Sequence, residues 1–241
     1  MDPIIILLAL ATFASTLIGG TVAIRFRKAL PYFFAFAAGT LITVAFLDLM
    51  PESINLAQSI GLPIRDVLIA VVLSFLFYSF VERYFLTHHH HDEKEEGHGH
   101  PMGPIGAGSL VIHSLLDGVA IGAAFSVNPA IGIIVALAVI FHDFTDGINT
   151  VVVMLRNKHN AGRALAFLFA DAIAPVAGVL LTYLFIVNSA YLSVILAIFV
   201  GEFLYIGATS ILPETYKHSF SRMMLIMTFG VILILVLTSV V

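Results

Sequence analysis

The sequence predicts an all-α polytopic membrane protein, with about eight transmembrane helices and inverted repeats around a central antiparallel helix pair. Of the 241 residues, 60% are hydrophobic and only 11% are charged, and the mean hydropathy of +1.05 lies above the range of soluble domains. The apolar residues fall into segments of about twenty residues, the length that crosses a bilayer core of about 30 Å. Two pairs of short motifs also recur in segments of opposite predicted direction.

The eight apolar segments follow one another with little between them, at residues 4–24, 32–50, 63–85, 104–126, 130–154, 162–187, 190–212 and 222–241. The first segment is interpreted as a span and not as a signal peptide, because Met1–Pro3 carries no positive charge. Short cytoplasmic loops collect lysine and arginine. With the N-terminus outside, ten of the eleven basic residues lie inside and only Arg65 lies outside. We therefore expect an integral protein of the cell (plasma) membrane with both termini extracytoplasmic.

The chain divides into four predicted parts. Residues 1–86 hold the first three spans, residues 87–103 form a loop, residues 104–155 hold the fourth and fifth spans, and residues 156–241 hold the last three. The loop reads THHHHDEKEEGHGHPMG, a composition typical of disordered segments that attract metal ions, and the charge count places it in the cytoplasm. The net charge of −4 argues against a nucleic-acid partner, and the absence of cysteine excludes disulfides and thiolate ligands.

The second and seventh spans contain related segments. FAAGTLITVAFLDLMPES and FVGEFLYIGATSILPET share a glycine followed twelve residues later by Pro-Glu, which aligns Gly39, Pro51 and Glu52 with Gly201, Pro213 and Glu214. These two spans have opposite predicted directions. Inverted repeats around a central site are typical of secondary transporters, because such a fold can present one site to either side of the membrane.

The fourth and fifth spans also carry related motifs, HSLLDG at 113–118 and HDFTDG at 142–147. Residues four apart lie on one face of a helix, so each motif places a histidine and an aspartate together. The short link SVNPAIG makes the two helices antiparallel neighbours, and both pairs then lie near mid-membrane. No lysine or arginine lies in the middle of a span to neutralise the acids. Since buried acids are costly without a counter-charge, the cation has to come from solution.

These motifs predict a metal site formed by His113, Asp117, His142 and Asp146. Two imidazoles and two carboxylates suit Zn²⁺ and accept Fe²⁺, Mn²⁺ or Cd²⁺, whereas Ca²⁺ and Mg²⁺ favour oxygen ligands alone. Gly118 and Gly147 allow close helix approach.

Three further residues are candidate ligands. Ser114 and Asp143 adjoin the histidines, and with the two bridging aspartates they could form a second, harder site. Ser114 could instead bond to a helix carbonyl. Asp171 in the sixth span could bind metal directly, or it could be structural or hydrogen-bond a ligand. Glu202, deep in the seventh span, has no assigned role.

The motifs resemble those of the ZIP family of divalent-metal transporters. HSLLDGVAIGAAF is similar to the family's fourth-span pattern, HDFTDG to its fifth-span pattern and FLYIGATSILPE to its seventh-span pattern. The resemblance implies metal import into the cytoplasm, by an elevator-like motion of spans one, four, five and six against the other four, in a homodimer. Ser114 stands where the family usually has asparagine, and Ala174-Pro175 stands where many members have Glu-Pro.

We therefore predict a transporter of divalent transition-metal ions, zinc above all, that works by alternating access with no prosthetic group and is not an enzyme. One alternative is an intramembrane zinc hydrolase, in which metal activates water, but the sequence has no HExxH motif and no separate general base. The other is an exporter of the cation-diffusion-facilitator type, whose members also use HxxxD pairs. Those exporters typically have six spans and a cytoplasmic domain, whereas eight spans are predicted here.

Overall fold

The computed structural model describes residues 3–87, 102–184 and 187–239, so most of the predicted His-rich loop lies outside the described residues. Within them, eight helices are long and apolar enough to cross a membrane, which confirms the predicted fold class. We number these helices α1 to α8. Their bounds are Pro3–Arg25 (α1), Leu30–Ser59 (α2), Ile64–Thr87 (α3), Met102–Val127 (α4), Pro129–Arg156 (α5), Ala161–Thr182 (α6), 189–215 (α7) and Phe220–Thr238 (α8), with a 3₁₀ turn at Arg27–Ala29.

Asparagine side chains cap the N-termini of three helices. Asn128, Asn160 and Asn188 precede α5, α6 and α7, and each accepts a hydrogen bond from a backbone N–H two or three residues further on, at 2.9, 2.9 and 3.1 Å. Such caps satisfy N–H groups that have no partner within the helix. Asn128 alone separates α4 from α5, and the two helices pack against each other as the short link predicted.

The second and seventh helices continue past prolines at which the sequence suggested that they end. The predicted second span stops at residue 50, whereas α2 passes through a π-helical turn at Ala45–Leu49 and continues to Ser59. In α7 a π-helical turn at Ile206–Ile211 precedes Pro213 in the same way. Proline lacks an N–H and its ring clashes with the carbonyl four residues earlier. A wider turn accommodates the ring without ending the helix, and it does so at matching positions of the two related segments.

The eight helices form two groups. In the first group, α1 packs on α5 and α6, and α4 packs on α5 and α6. In the second group, α2 packs on α7 and α8, and α3 packs on α7. Contacts between the groups are fewer and lie mainly where α5 meets α2 and where α4 meets α7. This division places α4 and α5 at the boundary between the groups.

The glycines that follow the paired motifs lie at very close helix contacts. A Cβ added to Gly118 would lie 2.0 Å from the backbone oxygen of Pro175 in α6, and one added to Gly147 would lie 2.0 Å from that of Thr16 in α1. The predicted close approach is therefore present, and it joins α4 to α6 and α5 to α1. These contacts fix the depth and rotation of the two helices that carry the histidines and aspartates.

Candidate metal site

Four side chains from the paired motifs converge between α4 and α5. His113 and Asp117 lie in the middle of α4, and His142 and Asp146 lie in the middle of α5. All four are buried, with at most 6% of any residue exposed. One ligand atom from each lies within 4.8 Å of the other three. The two stripes that the sequence predicted on separate helices therefore face one another at a single centre.

The distances between these atoms match the edges of a small tetrahedron. The Nε2 atom of His113 lies 3.3 Å from Oδ2 of Asp117 and 3.4 Å from Oδ2 of Asp146. The Nε2 atom of His142 lies 3.2 and 3.5 Å from the same two oxygens. A tetrahedral ion with bonds of about 2.1 Å separates its ligand atoms by about 3.4 Å. The four nitrogen–oxygen separations thus match those around a tetrahedral zinc ion.

Both imidazoles have their Nδ1 atoms engaged away from this centre. Nδ1 of His142 donates to the backbone oxygen of Ala138 at 3.0 Å, and Nδ1 of His113 lies 2.6 Å from Oε1 of Glu202 in α7. Since a neutral imidazole has a single N–H, its proton on Nδ1 leaves a lone pair on Nε2 that faces the carboxylate oxygens. Lone pairs at that distance repel unless a positive charge, either a proton or a metal ion, lies between them.

Asp143 borders the same centre. Its Oδ1 lies 3.8 Å from Nε2 of His142, and the residue has no exposed surface. Among the described residues, neither of its carboxylate oxygens has a hydrogen-bond partner. A buried, unpartnered carboxylate is costly, which makes Asp143 a candidate for contact with a cation.

Ser114 and Asp171 lie together beside the centre. The Ser114 hydroxyl donates to Oδ1 of Asp171 at 2.7 Å, and the Thr150 hydroxyl donates to Oδ2 at 2.8 Å. All three residues are fully buried. Because both oxygens of Asp171 already accept a hydrogen bond, the geometry favours a structural role over direct metal ligation. The Ser114 hydroxyl bonds to this acid and not to a helix carbonyl.

Two residues of α7 complete the wall of the site. Glu202 contacts His113, and the ring of its neighbour Phe203 packs edge-on against the ring of His142 at a centroid distance of 4.6 Å. The sequence marked Glu202 as a buried acid but gave no partner, because its contact joins helices that are far apart along the chain. Thr150 and Phe203 were not predicted, since a threonine or phenylalanine in an apolar helix carries no distinguishing signal.

The charge around the centre is strongly one-sided. Five buried acids surround two imidazoles: Asp117, Asp143, Asp146, Asp171 and Glu202. Every lysine and arginine side chain that the structure describes is exposed. The site therefore fits a dissolved cation far better than an internal ion pair. A buried His/Asp group midway along two helices that are long and apolar enough to cross a membrane makes this protein a candidate metal carrier.

Comparison with known proteins identifies the family to which this chain belongs. A family model described as the ZIP zinc transporter matches residues 105–238, which is more than half of the chain and includes all seven candidate ligands. The chain belongs to the ZIP zinc transporter family. Membership agrees with the prediction of a transporter and not an enzyme.

Individual relatives match over shorter stretches. The chain is 24% identical to the zinc transporter zipt-7.2 of Caenorhabditis elegans over 44% of its own length, 31% identical to the zinc transporter ZIP4 of Mus musculus over 42%, and 26% identical to the zinc transporter ZIP13 of Pongo abelii over 60%. The matches span only 24%, 16% and 45% of those three proteins.

Proposed function

We propose that this protein carries divalent transition-metal ions across a membrane, with zinc as its main substrate, and that His113, Asp117, His142 and Asp146 bind the ion. The observation that carries the proposal is the set of four nitrogen–oxygen separations of 3.2 to 3.5 Å, which match a tetrahedral ion. The names of the family and its relatives support zinc. Fe²⁺, Mn²⁺ and Cd²⁺ accept the same ligands and are proposed as further substrates.

The transport mechanism that we propose is alternating access. The ligands belong to α4 and α5 in the first helix group, while α7 of the second group closes one side of the site. The extensive packing within each group and the sparser contacts between them support movement of the first group, as one unit, against the second. Such a movement carries a bound ion from one side of the membrane to the other without unfolding a helix.

Asp143 extends this proposal to a second cation. Its buried oxygens without hydrogen-bond partners among the described residues lie beside Asp117 and Asp146, which could each bridge two ions. Ser114 and Asp171, bonded to each other, are proposed to brace this side of the site. Direct ligation by these two residues would require their hydrogen bonds to be exchanged for metal bonds.

The remaining proposals concern the setting of the protein. We propose that the protein imports metal toward the cytoplasm and lies in the plasma membrane, with both termini outside and the His-rich loop in the cytoplasm. We also propose that it forms a homodimer and that its chain has the four parts predicted from the sequence. Asp48 and Glu52, both half-buried in the second half of α2, are proposed to attract the hydrated ion. His218 and the His-rich loop, most of which lies outside the described residues, are proposed to receive it on the inner side.

The experiment that tests this function is zinc uptake into liposomes containing the purified protein, followed with an entrapped fluorescent zinc sensor. Asp117→Ala and His142→Ala each remove one ligand, and Asp66→Ala, an exposed acid at the start of α3, is the matched control. We expect uptake by the wild type and the control, and at least a tenfold loss in both ligand variants.

Either of two results would contradict the proposal. One is zinc that binds to the purified protein without crossing the bilayer, and the other is uptake by Asp117→Ala at the rate of Asp66→Ala. Size-exclusion profiles of the detergent-solubilised variants show whether each has folded, so that loss of transport is not confused with loss of structure.

A further inference from the structure

We propose that Glu202 is a positioning residue that holds His113 in the metal-binding tautomer and orientation, and that it does so from the opposite helix group. The inference rests on the proposed metal site at His113, Asp117, His142 and Asp146. It assigns a function to Glu202, a residue that lies outside the two paired motifs.

The geometry of the contact carries the inference. Oε1 of Glu202 lies 2.6 Å from Nδ1 of His113, and Glu202 has no exposed surface. The two atoms are not aligned for a hydrogen bond in this conformation, but a carboxylate this close favours the imidazole proton on Nδ1, the nitrogen that faces it. Nε2 then presents its lone pair to the two aspartate oxygens at 3.3 and 3.4 Å. Such carboxylate–histidine contacts fix the ring and raise its strength as a metal ligand.

The two histidines differ in which helix supplies the contact that orients the ring at Nδ1. His142 donates to Ala138 of its own helix, so its orientation is set locally by α5. His113 depends on a residue of α7, which belongs to the second helix group. Tyr78 of α3, in the same group, lies next to Glu202. The orientation of one metal ligand is therefore set across the boundary between the groups.

This arrangement links metal affinity to the relative position of the two groups. A nitrogen and an oxygen no longer make a direct polar contact once they separate beyond about 3.5 Å, so a shift of about 1 Å from the present 2.6 Å frees His113 from Glu202. The site then binds metal less tightly than in the conformation described here. When two conformations differ in their affinity for an ion, binding of the ion favours the tighter one, and a change to the weaker one releases the ion.

Three variants of Glu202 separate the effects of hydrogen bonding, length and charge. Glu202→Gln keeps a carbonyl oxygen at the same reach, Glu202→Asp keeps the charge but withdraws the oxygen by about one C–C bond, and Glu202→Leu removes both. Ser193→Ala is the matched control, because Ser193 is another buried polar residue of α7 and bonds to the backbone of Ser53. The measurement is the zinc dissociation constant of the full chain in detergent, by competition with a fluorescent chelator.

We expect Glu202→Leu and Glu202→Asp to weaken zinc binding roughly 10- to 100-fold, Glu202→Gln to stay within a few-fold of the wild type, and Ser193→Ala to bind like the wild type. In protein with ¹⁵N-labelled histidine, the Nδ1–H signal that disappears in His113→Ala should persist in Glu202→Gln and be lost in Glu202→Leu. Should Glu202→Leu fail to fold, the comparison of the Gln and Asp variants still decides the matter.

The inference is overturned if Glu202→Leu binds zinc as the wild type does, or if Glu202→Asp binds normally while Glu202→Gln does not, since charge alone would then account for the residue. Asp117→Ala, measured alongside, separates this result from failure of the proposed function. If zinc binding survives Asp117→Ala, the metal site itself is wrong. If Asp117→Ala abolishes binding and no Glu202 variant changes it, only the positioning role is wrong.

Discussion

Replacing Gly118 by alanine tests whether close packing of α4 on α6 holds the candidate ligands in place. The added Cβ would lie 2.0 Å from the backbone oxygen of Pro175, about 1.4 Å inside an ordinary contact. A backbone oxygen cannot move aside as a flexible side chain can, so the two helices must separate. Overpacking of this kind costs about 1–3 kcal/mol.

Gly108→Ala is the matched control, because it lies on the same helix and a Cβ there meets nothing within 4 Å. Both substitutions gain about the same helix propensity, up to about 1 kcal/mol, so this gain cancels when the two are compared. For a chain of this size the remaining difference corresponds to roughly 2–4 °C in Tm per kcal/mol.

The assay is the fraction of protein that stays monodisperse on size-exclusion chromatography after heating in detergent. We expect Gly118→Ala to lose this fraction several degrees below Gly108→Ala, and to bind zinc more weakly because Asp117 is the adjacent residue. Equal thermal stability of the two variants would refute the close packing and the argument that it positions the ligands.

Three further predictions concern the site. Thr150→Val removes a donor to buried Asp171 and should lower stability by about 1–3 kcal/mol, whereas Thr21→Val, at an exposed hydroxyl bonded within its own helix, should change thermal stability little. Transport should fall as the pH is lowered, because protons compete with metal for the imidazoles; full uptake well below pH 5 would exclude this ligand set. Asp143→Asn should reduce the number of Cd²⁺ ions bound per chain, measured by equilibrium dialysis, without abolishing binding, and an unchanged number would remove Asp143 from the site.

Much of the fold could be predicted from the sequence because the membrane restricts the possible structures so strongly. Spanning segments need about twenty apolar residues, and all eight predicted spans correspond to helices within the described residues. The continuation of α2 to Ser59 could not be predicted in this way. Proline usually ends a helix, whereas here the helix continues past Pro51 after a π-helical turn.

The pairs of histidine and aspartate within each helix could equally be predicted from the sequence. A histidine and an aspartate four residues apart must share a helix face, and the short link around Asn128 forces the two helices together. The partners contributed by other helices were not accessible. The contact of Glu202 with His113 and the bonds from Ser114 and Thr150 to Asp171 depend on the packing of α7 and α6 against α4 and α5, which no local pattern encodes.

The measurement that tests the central claim most directly is an anomalous diffraction map, recorded at the zinc absorption edge from crystals grown with zinc. We predict a strong peak between α4 and α5, about 2.0–2.2 Å from Nε2 of His113 and of His142 and from one carboxylate oxygen each of Asp117 and Asp146. A strongest intramembrane peak at any other position, or zinc confined to the surface of the protein, would contradict the proposed site.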